Sequence, residues 1–148
     1  MEDTTDRTVG LHTVRFDSAT IVQLIMSGDV RPDQVHQMAA LVREHGVARP
    51  YLLLLVDLRE QGRFPPDARR VAEIESKQIP YRGMAFYHAS FHVMLLIRII
   101  ILGMNLLSPH KDNPFCFCRT EAEARAWLAQ RQRELLASEH PGASQERR

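Results

Sequence analysis

The sequence predicts an α/β protein: a mixed, mostly parallel sheet, opened by a hairpin and continued by three strand–helix units, with helices packed on it. Three observations carry this expectation. Residues 51–56 (YLLLLV) are apolar without alternation, which marks a strand buried on both faces, as in a parallel sheet covered by helices. Residues 11–16 (LHTVRF) and 20–26 (TIVQLIM) read as strands separated by the turn signal Asp17-Ser18, a link so short that it implies an antiparallel pair. Beyond them, helix and strand signals alternate along the rest of the chain.

Residues 1–10 (MEDTTDRTVG) are polar and acidic and are expected to be flexible, with the folded domain spanning 11–137. The hairpin is closed by Ser27-Gly28-Asp29. Pro32 stands where the first residue of a helix belongs, and Asp33 suits the positive helix N-terminus. Val35, Met38, Ala39, Leu41 and Val42 then repeat with the helical period until Gly46, the expected stop. The buried strand ends at Asp57, and the connector 59–64 leads to a second helix start at Pro65-Pro66-Asp67. Ala68, Val71, Ala72 and Glu75 lie along one face of that helix, and Pro80 marks its end. Residues 83–87 (GMAFY) read as another short buried strand, after which Ser90 can cap a helix. A polar loop at 110–114 precedes the last strand, Phe115–Cys118. Thr120 and Glu123 match a capping box opening EAEARAWLAQRQRELL, whose inner side carries Ala124, Trp127, Leu128, Arg131 and Leu135. Residues 138–148, rich in charge with Pro, Gly and Ser, are expected to be a disordered tail.

Residues 91–107 (FHVMLLIRIIILGMNLL) are too apolar for an ordinary surface helix. At about 100° per residue, Arg98 and Asn105 share one narrow stripe, with Val93, Leu96, Ile100, Gly103 and Leu107 opposite as the expected core face. Met94, Leu95, Ile101 and Leu102 flank Arg98 within roughly 60°, where a soluble monomer would place Lys, Glu or Gln. The expected cover is the same flank of a second copy, since two-fold dimers are the commonest closed assembly. Arg98 either snorkels to water over Ile101 and Leu102 or pairs across that interface. A membrane span is not expected, because the stretch reaches only about 26 Å against a bilayer core of about 30 Å and carries Arg98 at its middle.

Composition narrows the function classes. A net charge of +1 and a pI near 7.9 leave no electrostatic footprint for nucleic acid. The N-terminus has neither the basic start nor the apolar run of a signal peptide, so a cytoplasmic protein is expected. Cys116 and Cys118 make neither a disulfide framework nor a zinc site, and read as two small hydrophobes on one face of a strand. His88 and His92, with His110 as a third, have ligand spacing only if His88 is helical; it falls on a turn, so no metal is expected. Nucleophile elbow, phosphate loop and dinucleotide fingerprint are all missing, and neither a catalytic residue nor a cofactor is expected. Asp57 stands at the edge where open α/β sheets bind ligands, and could orient the 59–67 loop, bind a partner's Lys or Arg, or cap backbone N–H groups. Ser90, at a helix start, could hold an anion or serve as a plain cap.

This order of elements, with the strand LLLLVDLRE and the closing TEAEARAWL, resembles the SpoIIAA-like proteins of the STAS group (sulfate transporters and anti-sigma-factor antagonists), also described as STAS/SEC14-type. The resemblance covers residues 11–136 and implies a STAS-like fold and a non-enzymatic domain that works by binding. Antagonists of this group present an acid at the end of the central strand and a phosphorylatable Ser at the following helix start. Asp57 matches the acid, but REQGRFPPD (59–67) holds no Ser or Thr, so the phosphorylation switch does not carry over. The expected function is a regulatory or protein-interaction domain that forms a homodimer. Its expected partner- or ligand-contacting residues are Asp57, Ser90, Met94, Leu95, Arg98, Ile101, Leu102 and Asn105. The alternative is a carrier or sensor of an apolar small molecule such as a lipid.

Overall fold

In the computed structural model, which describes residues 5–106 and 112–139, six strands form one sheet in chain order. β1 (Thr5–Val9), β2 (His12–Phe16) and β3 (Ile21–Gly28) are an antiparallel meander, and β4 (Leu52–Gln61), β5 (Tyr81–Tyr87) and β6 (Phe115–Cys118) continue parallel to β3. The helices α1 (Pro32–Gly46), α2 (Pro66–Ser76), α3 (Phe91–Leu106) and α4 (Glu121–Glu139) fill the connections and the C-terminal end. The mixed, mostly parallel sheet is thus the expected one. β4 lies between β3 and β5 with cover on both faces, as its unbroken apolar run requires.

β1 corrects the sequence expectation, in which residues 5–9 belong to a flexible terminus. They pair with β2 in register from Thr5↔Phe16 to Val9↔His12. Only Val9 of TDRTV is buried, so the strand has no hydrophobic pattern to announce it. Gly10, at φ +60°, makes the tight turn, and Arg15 clamps Asp6 across the pair at 2.9 and 3.1 Å. At the other end α4 runs through Ser138 to Glu139, past the expected boundary at 137. The segment 107–111 and the chain beyond 139 lie outside the described residues.

Alternation along β4 divides the core. Leu52, Leu54, Val56 and Leu58 join the cluster under α1, α2 and α3, which pack side by side on one face. Leu53 and Leu55 turn the other way, toward Ala124, Leu128 and Leu135 of α4, which covers β4, β5 and β6. The capping box at the start of α4 forms one residue out of step. Thr120 Oγ1 accepts the Glu123 N–H at 3.2 Å, while the Glu123 carboxylate reaches back to the Arg119 N–H at 3.1 Å. Arg131 is buried and ties α4 to the sheet, donating from Nε to the Arg82 carbonyl at 2.6 Å and from NH2 to the Asp112 carbonyl at 3.0 Å. Its stem lies against Gly83, where a Cβ would come within 3.0 Å of Arg131 Cγ.

Candidate functional site

α3 presents the most unusual surface of the described chain. Phe91 (73% exposed), Leu95 (45%), Ile99 (55%) and Leu102 (62%) lie on its outer side, and Ile74 of α2 (49%) continues the patch. Ile74 and Ile99 share a shallow groove lined also by Arg69, Arg70, Lys77 and Glu73. The helix is turned about 70° from the expected orientation. Ile97, Ile100, Ile101 and Met104 are its buried residues, whereas Val93, Leu96 and Gly103 of the expected core stripe are only half-buried. Ile101, expected on the exposed flank, is therefore in the core at 1% exposure, and Met94 is half-buried. Leu95 and Leu102 are exposed as that flank requires, and Asn105 is exposed beside them. The cause is that α3 is wedged against α2 as well as over the sheet. At Gly103 a Cβ would come within 2.9 Å of the Glu73 carboxylate of α2. Arg98 is exposed, and its guanidinium lies 5.3 Å from the Phe117 ring centroid of β6, so it leans back over its own sheet.

Asp57, level with Tyr87 at the end of β5, does not end its strand as expected, since β4 runs on to Gln61; Asp57 and Arg59 on β4 stand near His88 and Ser90. Asp57 is half-buried, and its carboxylate accepts the Arg59 N–H at 3.1 Å. His88 sits on the turn at φ 59° and accepts from Arg59 NH2 at 3.0 Å, which occupies the Nε2 lone pair a metal would need. Among the described residues no cluster of three or more His, Cys, Asp or Glu could hold a metal, and His110 lies outside them. Ser90 Oγ accepts the Val93 N–H at 3.2 Å, the geometry of an N-cap. The N-cap of α2 is Pro65, without a side-chain cap, so no hydroxyl stands where the antagonists carry their phosphorylatable Ser.

A buried polar network on the α4 face went unread in the sequence. Gln23 Nε2 donates to the Tyr87 hydroxyl at 2.8 Å, which donates to Glu121 at 3.0 Å. Arg125 joins Glu121 (2.8 Å), Asp17 (2.9 Å) and the Gln23 carbonyl oxygen (3.3 Å). Burial, and then the Glu121 hydrogen bond, push the Tyr87 phenol up; the Arg125 hydrogen bond holds Glu121 below the usual carboxylate range. These groups satisfy one another and brace β3 and the β2–β3 turn against α4. The available signal was Gln23 itself, a lone amide in the apolar run TIVQLIM. Nearby, Cys116 and Cys118 face each other at 3.3 Å, half-buried, and burial pushes the Cys116 thiol up to about 12.

Neither the family models nor the curated proteins compared with the chain match it. Among solved structures it is similar to an uncharacterized protein of the DUF3478 family with a SpoIIAA-like fold from Shewanella loihica PV-4. The TM-score is 0.52 at 14% identity, covering 85% of this chain and 92% of that one. That likeness shows the fold, and the chain is SpoIIAA-like in architecture, as the sequence resemblance implied.

Proposed function

We propose that this chain is a non-enzymatic, cytoplasmic STAS-like interaction domain that self-associates through the outer face of α3. The observation that carries this reading is the patch of Phe91, Leu95, Ile99 and Leu102, extended by Ile74, which gathers five of the eight exposed large hydrophobic side chains among the described residues. An antiparallel pairing of two α3 helices, about an axis beside Arg98 and Ile99, sets Leu95 of each copy against Leu102 of the other. Arg98 is drawn back over Phe117 from that axis, and Arg69, Arg70 and Lys77 beside Ile99 share their groove with Glu73. Burying an exposed apolar side chain contributes roughly 1.5–3 kcal/mol, and about half that for those already partly covered. Eight such side chains in two copies then stand against an association cost of about 4–15 kcal/mol, which fits a reversible dimer.

Sedimentation velocity tests this directly. The parent is expected to be dimeric at high concentration, and Leu102→Glu, which places carboxylates near the axis, is expected to be a folded monomer. A parent that stays monomeric at every accessible concentration overturns the reading. The alternative, a lipid carrier, has a cavity behind it, but one of about 120 Å³. Pockets for drug-sized ligands run to about 300–1,000 Å³, which favours self-association over carriage of a whole lipid.

A further inference from the structure

That cavity lies between the sheet and the layer formed by α1, α2 and α3. It is half enclosed, and its volume of about 120 Å³ is close to the roughly 150 Å³ of an engineered apolar cavity that takes up benzene. Its wall is mostly hydrocarbon and thioether, with Gln61, Glu75, Ser76 and Tyr81 its polar residues. Met26 of β3, Met38 of α1, Met84 of β5 and Met104 of α3 converge on it from four elements, and their flexible side chains let the wall fit guests of different outline.

A second observation is independent of the volume. Gln61, at the carboxyl end of β4, lines the cavity, and its Nε2 is buried without a hydrogen-bond partner among the described residues. A buried N–H without an acceptor is unusual and calls for one. Water answers poorly, because it needs two to four polar partners and nearly all of the lining is apolar, with only Glu75, Ser76 and Tyr81 polar besides Gln61. Glu75, the one charged group on the wall, is already held by Arg43 at 2.7 Å and His36 at 2.6 Å. No Lys or Arg lines the cavity among the described residues, so an anionic guest would bury an unpaired charge.

We propose that this cavity is a binding site for a small uncharged molecule, a ring or short chain of about six carbons bearing one carbonyl or hydroxyl oxygen that accepts the Gln61 amide N–H. The proposal does not rest on self-association. It is tested by titrating the full chain, labelled at the methionine methyl carbons, with cyclohexanone and separately with cyclohexane, and following the methyl resonances. Saturable shifts are expected at Met26, Met38, Met84 and Met104, with Met94, which does not line the cavity, as the internal control. Gln61→Leu is expected to weaken cyclohexanone about tenfold and leave cyclohexane unchanged, since only the ketone uses the amide. Ala39→Leu, filling the cavity from α1, is expected to abolish both. Absence of shifts with either probe up to its solubility, or shifts as large at Met94 as at the four lining methionines, overturns the site. Equal cyclohexanone affinity in the parent and Gln61→Leu overturns the role of the amide. Repeating the titration on Leu102→Glu separates a failure of this site from a failure of the dimer.

Discussion

Gln23 is fully buried in β3, and its amide is hydrogen-bonded at both ends, to Tyr87 through nitrogen and to Arg125 through oxygen. Removing the phenol oxygen leaves Gln23 Nε2 only a long 3.5 Å contact to Glu121. Tyr87→Phe is therefore expected to lower stability by about 1–3 kcal/mol, read as a shifted urea midpoint with unchanged slope. A parent-like midpoint would mean that the network carries no load. His45 offers a pH signature. It stacks on Phe16 with ring centroids 4.4 Å apart, and burial, then the Arg49 charge, hold its imidazole below the usual value. As pH falls through about 6.5, the unfolded chain takes up the proton first. Stability from this residue is thus full above that pH and declines below it, until the folded ring titrates as well. Urea midpoints on either side of pH 6.5 should fall with acid in the parent and fall less in His45→Gln; identical slopes would remove His45 from the balance. Neither partnership was legible beforehand, because both join residues far apart in sequence: Gln23 to Tyr87 and Glu121, Phe16 to His45.

Among elements, β4 was legible and β1 was not, for one physical reason. β4 is covered by helices on both faces, so every inward residue had to be apolar; β1 is an edge strand held by backbone pairing, whose TDRTV follows no burial pattern. Leu54→Asp tests the first half of that statement. Leu54 is buried between β3 and β5, and a carboxylate there costs several kcal/mol, most of the stability of a domain this size. The variant is expected to be unfolded, or to melt far below the parent, by circular dichroism; a parent-like melt would deny β4 its central place. α3 shows the opposite limit. Its existence was plain, but apolar residues run nearly all round it, so the period that normally reveals which side faces inward carries almost no phase. Packing on α2 set the rotation and sent Ile101 inward, leaving Phe91 and Ile99 outside with Leu95 and Leu102.

At the level of the whole molecule, the two apolar features of α3 lie on opposite sides of the same helix. Its inner residues Ile97, Ile100, Ile101 and Met104 wall the cavity, and its outer residues form the patch. A second copy seated on the patch would press α3 onto the sheet, so self-association should raise the stability of the fold it is built on. Mass action makes that measurable, because a partner that binds the folded chain alone raises the apparent stability as its concentration rises. Each tenfold increase in protein is worth about 1.4 kcal/mol per dimer, or roughly 0.7 kcal/mol per chain. For a chain of this length that is about 2 °C in Tm. The parent is therefore expected to melt about 4 °C higher over a hundredfold rise in concentration above its dimer dissociation constant. Leu102→Glu should melt at one temperature throughout. A Leu102→Glu variant that still sediments as a dimer and still melts higher with concentration would place the contact away from α3 and leave the Phe91–Leu102 face to another partner, whereas a parent whose Tm ignores concentration would leave no folded dimer at the melt.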